Sequence, residues 1–118
     1  MATVGCGTTC YTWIRGSQGT FLDTYQHELG HNMGLQHAST PTQEYGDRSS
    51  PMGFCCDSPR CYNAPEQWQL GWTVPITTLN AKNLPAGTWV NTPIPTLLNS
   101  NTSVLKVIPT WTARQFVP

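Results

Sequence analysis

His27-Glu28-Leu29-Gly30-His31-Asn32-Met33-Gly34-Leu35-Gln36-His37 contains all three histidines of the chain. The spacing is H-E-x-x-H-x-x-G-x-x-H. On a helix, His27 and His31 stand roughly 40° apart around the axis and about 6 Å apart along it, so both imidazoles reach one metal ion. Glu28 follows His27 and points beside that metal, which suits a base acting on water. His37 supplies a third ligand only if the chain turns back after His31, and Gly34 provides the turn. Three neutral imidazoles leave a fourth position open, the mark of a catalytic rather than a structural zinc site.

That donor set predicts a chemistry. Bound Zn2+ would lower the pKa of its water to about 7 and polarise a peptide carbonyl. Glu28 then takes the proton of that water as it attacks, and later protonates the leaving amine. No serine or cysteine nucleophile is required.

Working outward, Phe21, Tyr25 and Leu29 repeat every four residues, with Leu22 and Met33 beside them. This is the apolar face of a helix from about Phe21 to Asn32. Thr20 is the expected N-cap, with Asp23 in a capping-box position. Arg15 to Gly19 reads as a turn. Before it, Ala2–Gly5 and Tyr11–Ile14 read as short strands.

Residues 38–59 are rich in Ser, Thr, Pro, Gly and Asp and read as loop. Within them, Arg48-Ser49-Ser50-Pro51-Met52-Gly53 has turn residues and a methionine, which on its own could simply fill a loop core. Asn63 to Gly71 reads as a second, shorter helix, with Asn63 as cap, Pro65 in the first turn and Gly71 after the end. Beyond Trp72, prolines recur, and extended segments are expected at Thr88–Thr92, Val104–Ile108 and Thr112–Val117. They predict a small antiparallel β structure. The fold class is therefore α+β.

Composition sets outer limits. A chain of 118 residues fits one domain with at most a small appendage. Six basic and six acidic residues cancel. Nothing in that balance points to nucleic acid or an anionic membrane, and no segment is long enough to span a bilayer. Cys6, Cys10, Cys55, Cys56 and Cys61, with a sequon at Asn101-Thr102-Ser103, favour an oxidising, extracellular setting. Cys6 and Cys10 are close enough to pair locally, and Cys61 has Cys55 or Cys56 as candidates. One cysteine is left over. No signal peptide follows Met1. Together with the odd cysteine, this predicts an incomplete chain.

Tyr25 to Ala38 resembles the active-site helix of the gametolysin family of metzincin proteases. Tyr45 to Gly53 resembles that family's Met-turn, and Asn63 to Trp72 the segment that follows it. The resemblance covers roughly half of the chain. It implies a secreted zinc endopeptidase, known from volvocine green algae, acting on cell-wall or matrix glycoproteins rich in hydroxyproline. By this resemblance His27, His31 and His37 match the zinc ligands, Glu28 the general base and Met52 the Met-turn methionine. Residues 1–74 become a partial metzincin catalytic domain and residues 75–118 a Pro-rich, β-prone segment, in a monomer whose partner is a protein or glycoprotein substrate.

Two features depart from the family pattern. Only 26 residues precede His27, where a metzincin has a several-stranded sheet and another helix. Some metzincins also carry a tyrosine two residues after the Met-turn methionine. Phe54 stands there, leaving Tyr45 or Tyr62 as substitutes. The competing readings are a non-catalytic remnant serving as a zinc-binding or matrix-interaction module, and a disulfide-stapled binding domain with incidental histidines. Trp68 and Trp72 are expected to cover the core below the Met-turn. Trp89 and Trp111 could mark a carbohydrate surface or pack between strands. Asp47 could cap the Met-turn loop or bind calcium, though one carboxylate is too few to argue a calcium site.

Overall fold

The central helix, α1, spans Leu22–Asn32. The computed structural model describes residues 2–54 and 58–109. The helix begins without the expected threonine cap. Phe21 holds the N-cap position, and no side chain bonds the first turn from there. Backbone does the capping: Phe21 N–H donates to the Gln18 carbonyl at the end of the 3-10 turn Gly16–Gln18, and Thr24 N–H donates to Phe21. Asp23 accepts the Thr24 N–H through Oδ1 at 3.1 Å, so it serves its own turn rather than a capping box.

The other end follows the glycine expectation. Gly34 has φ +98°, a conformation costly for a residue with a Cβ. Its N–H donates to His31 and the Leu35 N–H to Gly30. These two bonds are the Schellman pair that satisfies the last helical carbonyls. The N-terminal arm adds to this end. Gly5 N–H donates to the His31 carbonyl, and Asn32 bonds Thr3, Tyr11 and Thr12. The Cys6–Cys10 disulfide closes the arm. The two strands expected here reduce to a single antiparallel bridge, Ala2↔Thr12, because the intervening loop leaves too little extended chain to form a ladder.

The chain divides into two compact units, Met1–Asn63 and Ala64–Pro118. The first is built on α1. Its core residues are Leu35, Pro51, Met52 and Tyr62, with Ser50 also fully buried. The apolar face read from the sequence is not the face that packs. Leu22, Tyr25, Leu29 and Met33 are exposed, whereas Asp23, Thr24, His27, Gly30 and His31 are buried. The exposed side chains line a groove of about 580 Å³ with Cys10, Pro59 and Tyr62 among its other walls.

The second unit opens with α2, Ala64–Gln69. It stops at Gly71, φ +73°, where the Gly71 and Trp72 N–H groups bond Trp68 and Gln67 in a second Schellman pair. Strands β1 (Pro75–Leu79) and β2 (Val104–Val107) follow and form a two-stranded sheet. The pairing is parallel, with Thr78 opposite Lys106 and a register shift between Pro75 and Thr77. This corrects the antiparallel expectation. Residues 80–103 separate the strands, a connection long enough for the crossover that parallel neighbours need. It also brings in β1, a β-branched run hidden behind Pro75, which is tolerated as a first strand residue. Thr88–Thr92 is no strand: Thr88 folds back on the Pro85 carbonyl, and Trp89 is 96% exposed. Thr112–Val117 and Trp111 lie outside the described residues. Trp68 takes the Lys106 ammonium over its ring at 4.0 Å.

Candidate metal centre

His27 and His31 leave α1 on one face, as their spacing requires. The Gly34 turn brings His37 back to them. The His27 and His31 rings meet edge to face with centroids 4.8 Å apart, and His37 lies 5.3 Å from His27 and 4.7 Å from His31. One ligand atom from each histidine lies within 4.8 Å of the others. The three histidines are therefore able to hold a metal ion.

Each Nδ1 already has an acceptor. His27 Nδ1 bonds the Pro51 carbonyl at 2.7 Å, and His31 Nδ1 bonds the Leu35 carbonyl at 2.9 Å. His37 Nδ1 bonds a carboxylate oxygen of Glu44 at 2.6 Å. Carbonyl and carboxylate oxygens only accept, so a neutral imidazole in each place carries its proton on Nδ1. The lone pair is then on Nε2. His31 Nε2 and His37 Nε2 face one another at 3.1 Å. Two bare lone pairs at that distance repel unless a proton or a metal cation lies between them. Two nitrogens on one tetrahedral zinc ion lie about 3.3 Å apart, so the donor set fits such an ion.

The pKa of His27 is lowered, chiefly by burial, while its bond to Pro51 opposes the shift and His31 and His37 add to it. That keeps its imidazole neutral, the form that binds metal. Tyr45 belongs to the same cluster. Its ring lies 4.1 Å from His37 and 6.0 Å from His27. Burial, followed by the negative charges of Glu44 and Glu28, raises its hydroxyl pKa. Glu28 is thus within electrostatic reach of both Tyr45 and His27. Tyr62 is elsewhere, its hydroxyl donating to the Gln26 carbonyl at 2.7 Å below α1.

The Met52 loop supports the cluster from beneath. Gly53 N–H closes a turn onto the Ser50 carbonyl, and Met52 N–H bonds Ser50 Oγ at 2.9 Å. Met52 is completely buried. It presses on α1 so closely that a Cβ on Gly30 would overlap its sulfur. Ala38, next to His37, donates to the Met52 carbonyl and accepts from Asp47. Asp47 caps the loop: Ser49 donates to it twice and Asn63 once. The Ser49 hydroxyl bond is the main reason its carboxyl pKa is lowered. The Arg60 guanidinium bonds the Arg48 and Phe54 carbonyls and ties the loop from outside. Phe54 is exposed, with the Arg48 guanidinium over its ring.

Sequence reasoning overlooked Glu44, Gly30 and the carbonyls of Leu35 and Pro51. Only Glu44 left a signal, an acidic residue on the loop that returns from the third histidine. Among the described residues Cys61 has no disulfide partner. Its candidate partners Cys55 and Cys56 lie outside them.

This arrangement has two buried imidazoles and a third partly open to solvent, with a neighbouring carboxylate and a methionine loop below. The family model for gametolysin peptidase M11 matches residues 1–117, and the chain belongs to that family. It is also similar to a protein named Autolysin from Chlamydomonas reinhardtii, at 39% identity over 72 residues. That match covers 58% of this chain and 11% of the relative. The chain thus spans a small part of the curated relative's length. No solved structure matches.

Proposed function

We propose that this chain carries the zinc-binding part of a metzincin-type endopeptidase that cleaves extracellular matrix or cell-wall proteins. The observation that carries the reading is the convergence of three histidines, with the Nε2 atoms of His31 and His37 3.1 Å apart and all three Nδ1 atoms bonded to oxygen acceptors. His27, His31 and His37 would hold Zn2+ through Nε2. Such an ion would lower the pKa of a bound water and polarise the scissile carbonyl.

The chain's own residues do the rest. Glu28, beside His27 on α1, accepts the proton of the attacking water and returns it to the leaving amine. Gly34 directs His37 back to the helix, and Met52 fixes the floor of the site. All of these residues lie in the first compact unit, Met1–Asn63; in the family reading the catalytic segment would extend to about residue 74, with residues 75–118 as the Pro-rich segment that follows. The relative's name, Autolysin, supports a lytic role. The cysteine content and sequon support a secreted, extracellular setting, and the balanced charge gives no reason to invoke nucleic acid. Among the described residues no helix is long and apolar enough to cross a membrane. We assign a monomer with a protein or glycoprotein substrate.

The test is zinc content with casein digestion. One zinc per folded chain is expected, and hydrolysis that chelation or Glu28→Gln abolishes. A folded chain that takes up no zinc at micromolar supply would overturn the reading. Full zinc loading without turnover would favour the second reading, a zinc-binding module that no longer hydrolyses. Phe54, which has no hydroxyl to offer at its place after Met52, supports that alternative.

A further inference from the structure

We infer that Glu44 is a positioning residue for this centre, a carboxylate that sets the ring of His37 for metal binding. The inference rests on the metal reading above and adds a residue to it. Two of the three histidines take their orientation from backbone carbonyls near to them. His31 uses Leu35, on the helix-ending turn, and His27 uses Pro51, in the buried Met52 turn. Both acceptors are fixed by packing, since Leu35 and Pro51 are fully buried.

His37 has no such backbone acceptor in its Nδ1 contact. It lies beyond the helix and is partly open to solvent, and its Nδ1 partner is the Glu44 carboxylate at 2.6 Å. An imidazole so placed can rotate about χ2 and can carry its proton on either nitrogen. The carboxylate removes both freedoms. It accepts only from an Nδ1–H, so it leaves Nε2 unprotonated and aimed at His31 Nε2. It also makes the ring a stronger donor to metal, as outer carboxylates do.

Glu44 is not loosely placed, although its side chain is 69% exposed. Thr40 and Gln43 exchange two backbone hydrogen bonds, and Gly46 N–H bonds the Gln43 carbonyl. A Cβ on Gly46 would overlap the Thr40 side chain, so the loop closes tightly there. Ala38 ties both ends of it, to Met52 and to Asp47. Tyr45, the next residue, lies against the His37 ring. The Glu44-Tyr45 pair thus contacts His37 at its Nδ1 edge and its face. Glu44 bonds His37 directly through its carboxylate.

The experiment uses the full chain and three forms: wild type, Glu44→Gln and Glu44→Ala. In the metal-free proteins, 15N NMR of the histidine rings at a pH where they are neutral reads the tautomer of His37. Wild type and Glu44→Gln, whose amide oxygen still accepts, are expected to hold the proton on Nδ1. Glu44→Ala is expected to lose that preference. Zinc affinity by chelator competition should fall about tenfold in Glu44→Ala, the lower end of the range for such outer partners. Glu44→Gln should recover most of it. The thermal melts of the metal-free proteins should coincide, which separates positioning from unfolding. An unchanged tautomer or unchanged zinc affinity in Glu44→Ala overturns the inference, as does a Glu44→Gln protein as impaired as the alanine variant. A wild type with the Nδ1 tautomer intact but no zinc affinity counts against the metal reading instead.

Discussion

Helix α1 has two faces of opposite character, and each does what the other's composition would suggest. The apolar face of Leu22, Tyr25, Leu29 and Met33 is exposed along an open groove, while the polar face with His27 and His31 is buried against Met52. Hydrophobic burial alone would turn the helix the other way. What holds the observed orientation is a set of specific bonds: two Nδ1 contacts to backbone, the Gly30–Met52 approach and the Asn32 links to the N-terminal arm. The lesson is that a functional face can be the packed face when its polar atoms are satisfied.

The sharpest way to break this comparison is chemical. Glu28→Gln, beside the buried histidines, should reduce peptide hydrolysis about 10²–10⁴-fold, the range for a lost general base, at unchanged zinc content. Leu29→Gln, one residue on but 51% exposed, should change turnover by no more than about twofold, as surface substitutions do. Initial rates on casein with parallel metal analysis decide both. Equal losses would erase the distinction between the faces.

Met52 and Met33 offer the same contrast in stability. Met52→Ala empties a fully buried position and should cost about 2–5 kcal/mol. Met33→Ala, 43% exposed, should stay within about 0.5 kcal/mol. Urea unfolding of each variant measures the difference. Gly30→Ala comes next, at about 1–3 kcal/mol, because its new methyl group meets the Met52 sulfur.

The smallest effect is a pH dependence. The pKa of His27 in the folded chain lies below its ordinary 6.5, so below that pH the unfolded chain binds the extra proton more readily. Stability of the metal-free protein is therefore full above 6.5 and declines as pH falls toward the lower folded value. The slope from this one group cannot exceed about 1.4 kcal/mol per pH unit, and His27→Gln should remove it. Urea midpoints between pH 8 and 5 provide the measurement.

The histidine cluster was readable in the chain because helical spacing is geometric: residues 27 and 31 must share a face, and Gly34 announces the reversal that returns residue 37. Gly71 announced the end of α2 in the same way. The Met52 turn was readable from its residue types. What escaped was whatever depends on partners. Periodicity finds the apolar face of α1 but carries no information on what covers it. Parallel pairing of β1 with β2 depends on a path through residues 80–103 that no local pattern encodes. Thr20 lost the cap to backbone, because the 3-10 turn before it already supplied acceptors.

The acceptors on Leu35 and Pro51 have a consequence for how this centre changes over time. A main-chain carbonyl belongs to every amino acid, so it survives substitution of the side chain attached to it. The orientation of His27 and His31 is therefore inherited through the path of the chain, and drift at positions 35 and 51 is filtered by packing rather than by chemistry. Glu44 is different, because its contribution vanishes with a single codon change. On the positioning role proposed for it, a change at position 44 would retune the strength of the centre in one step.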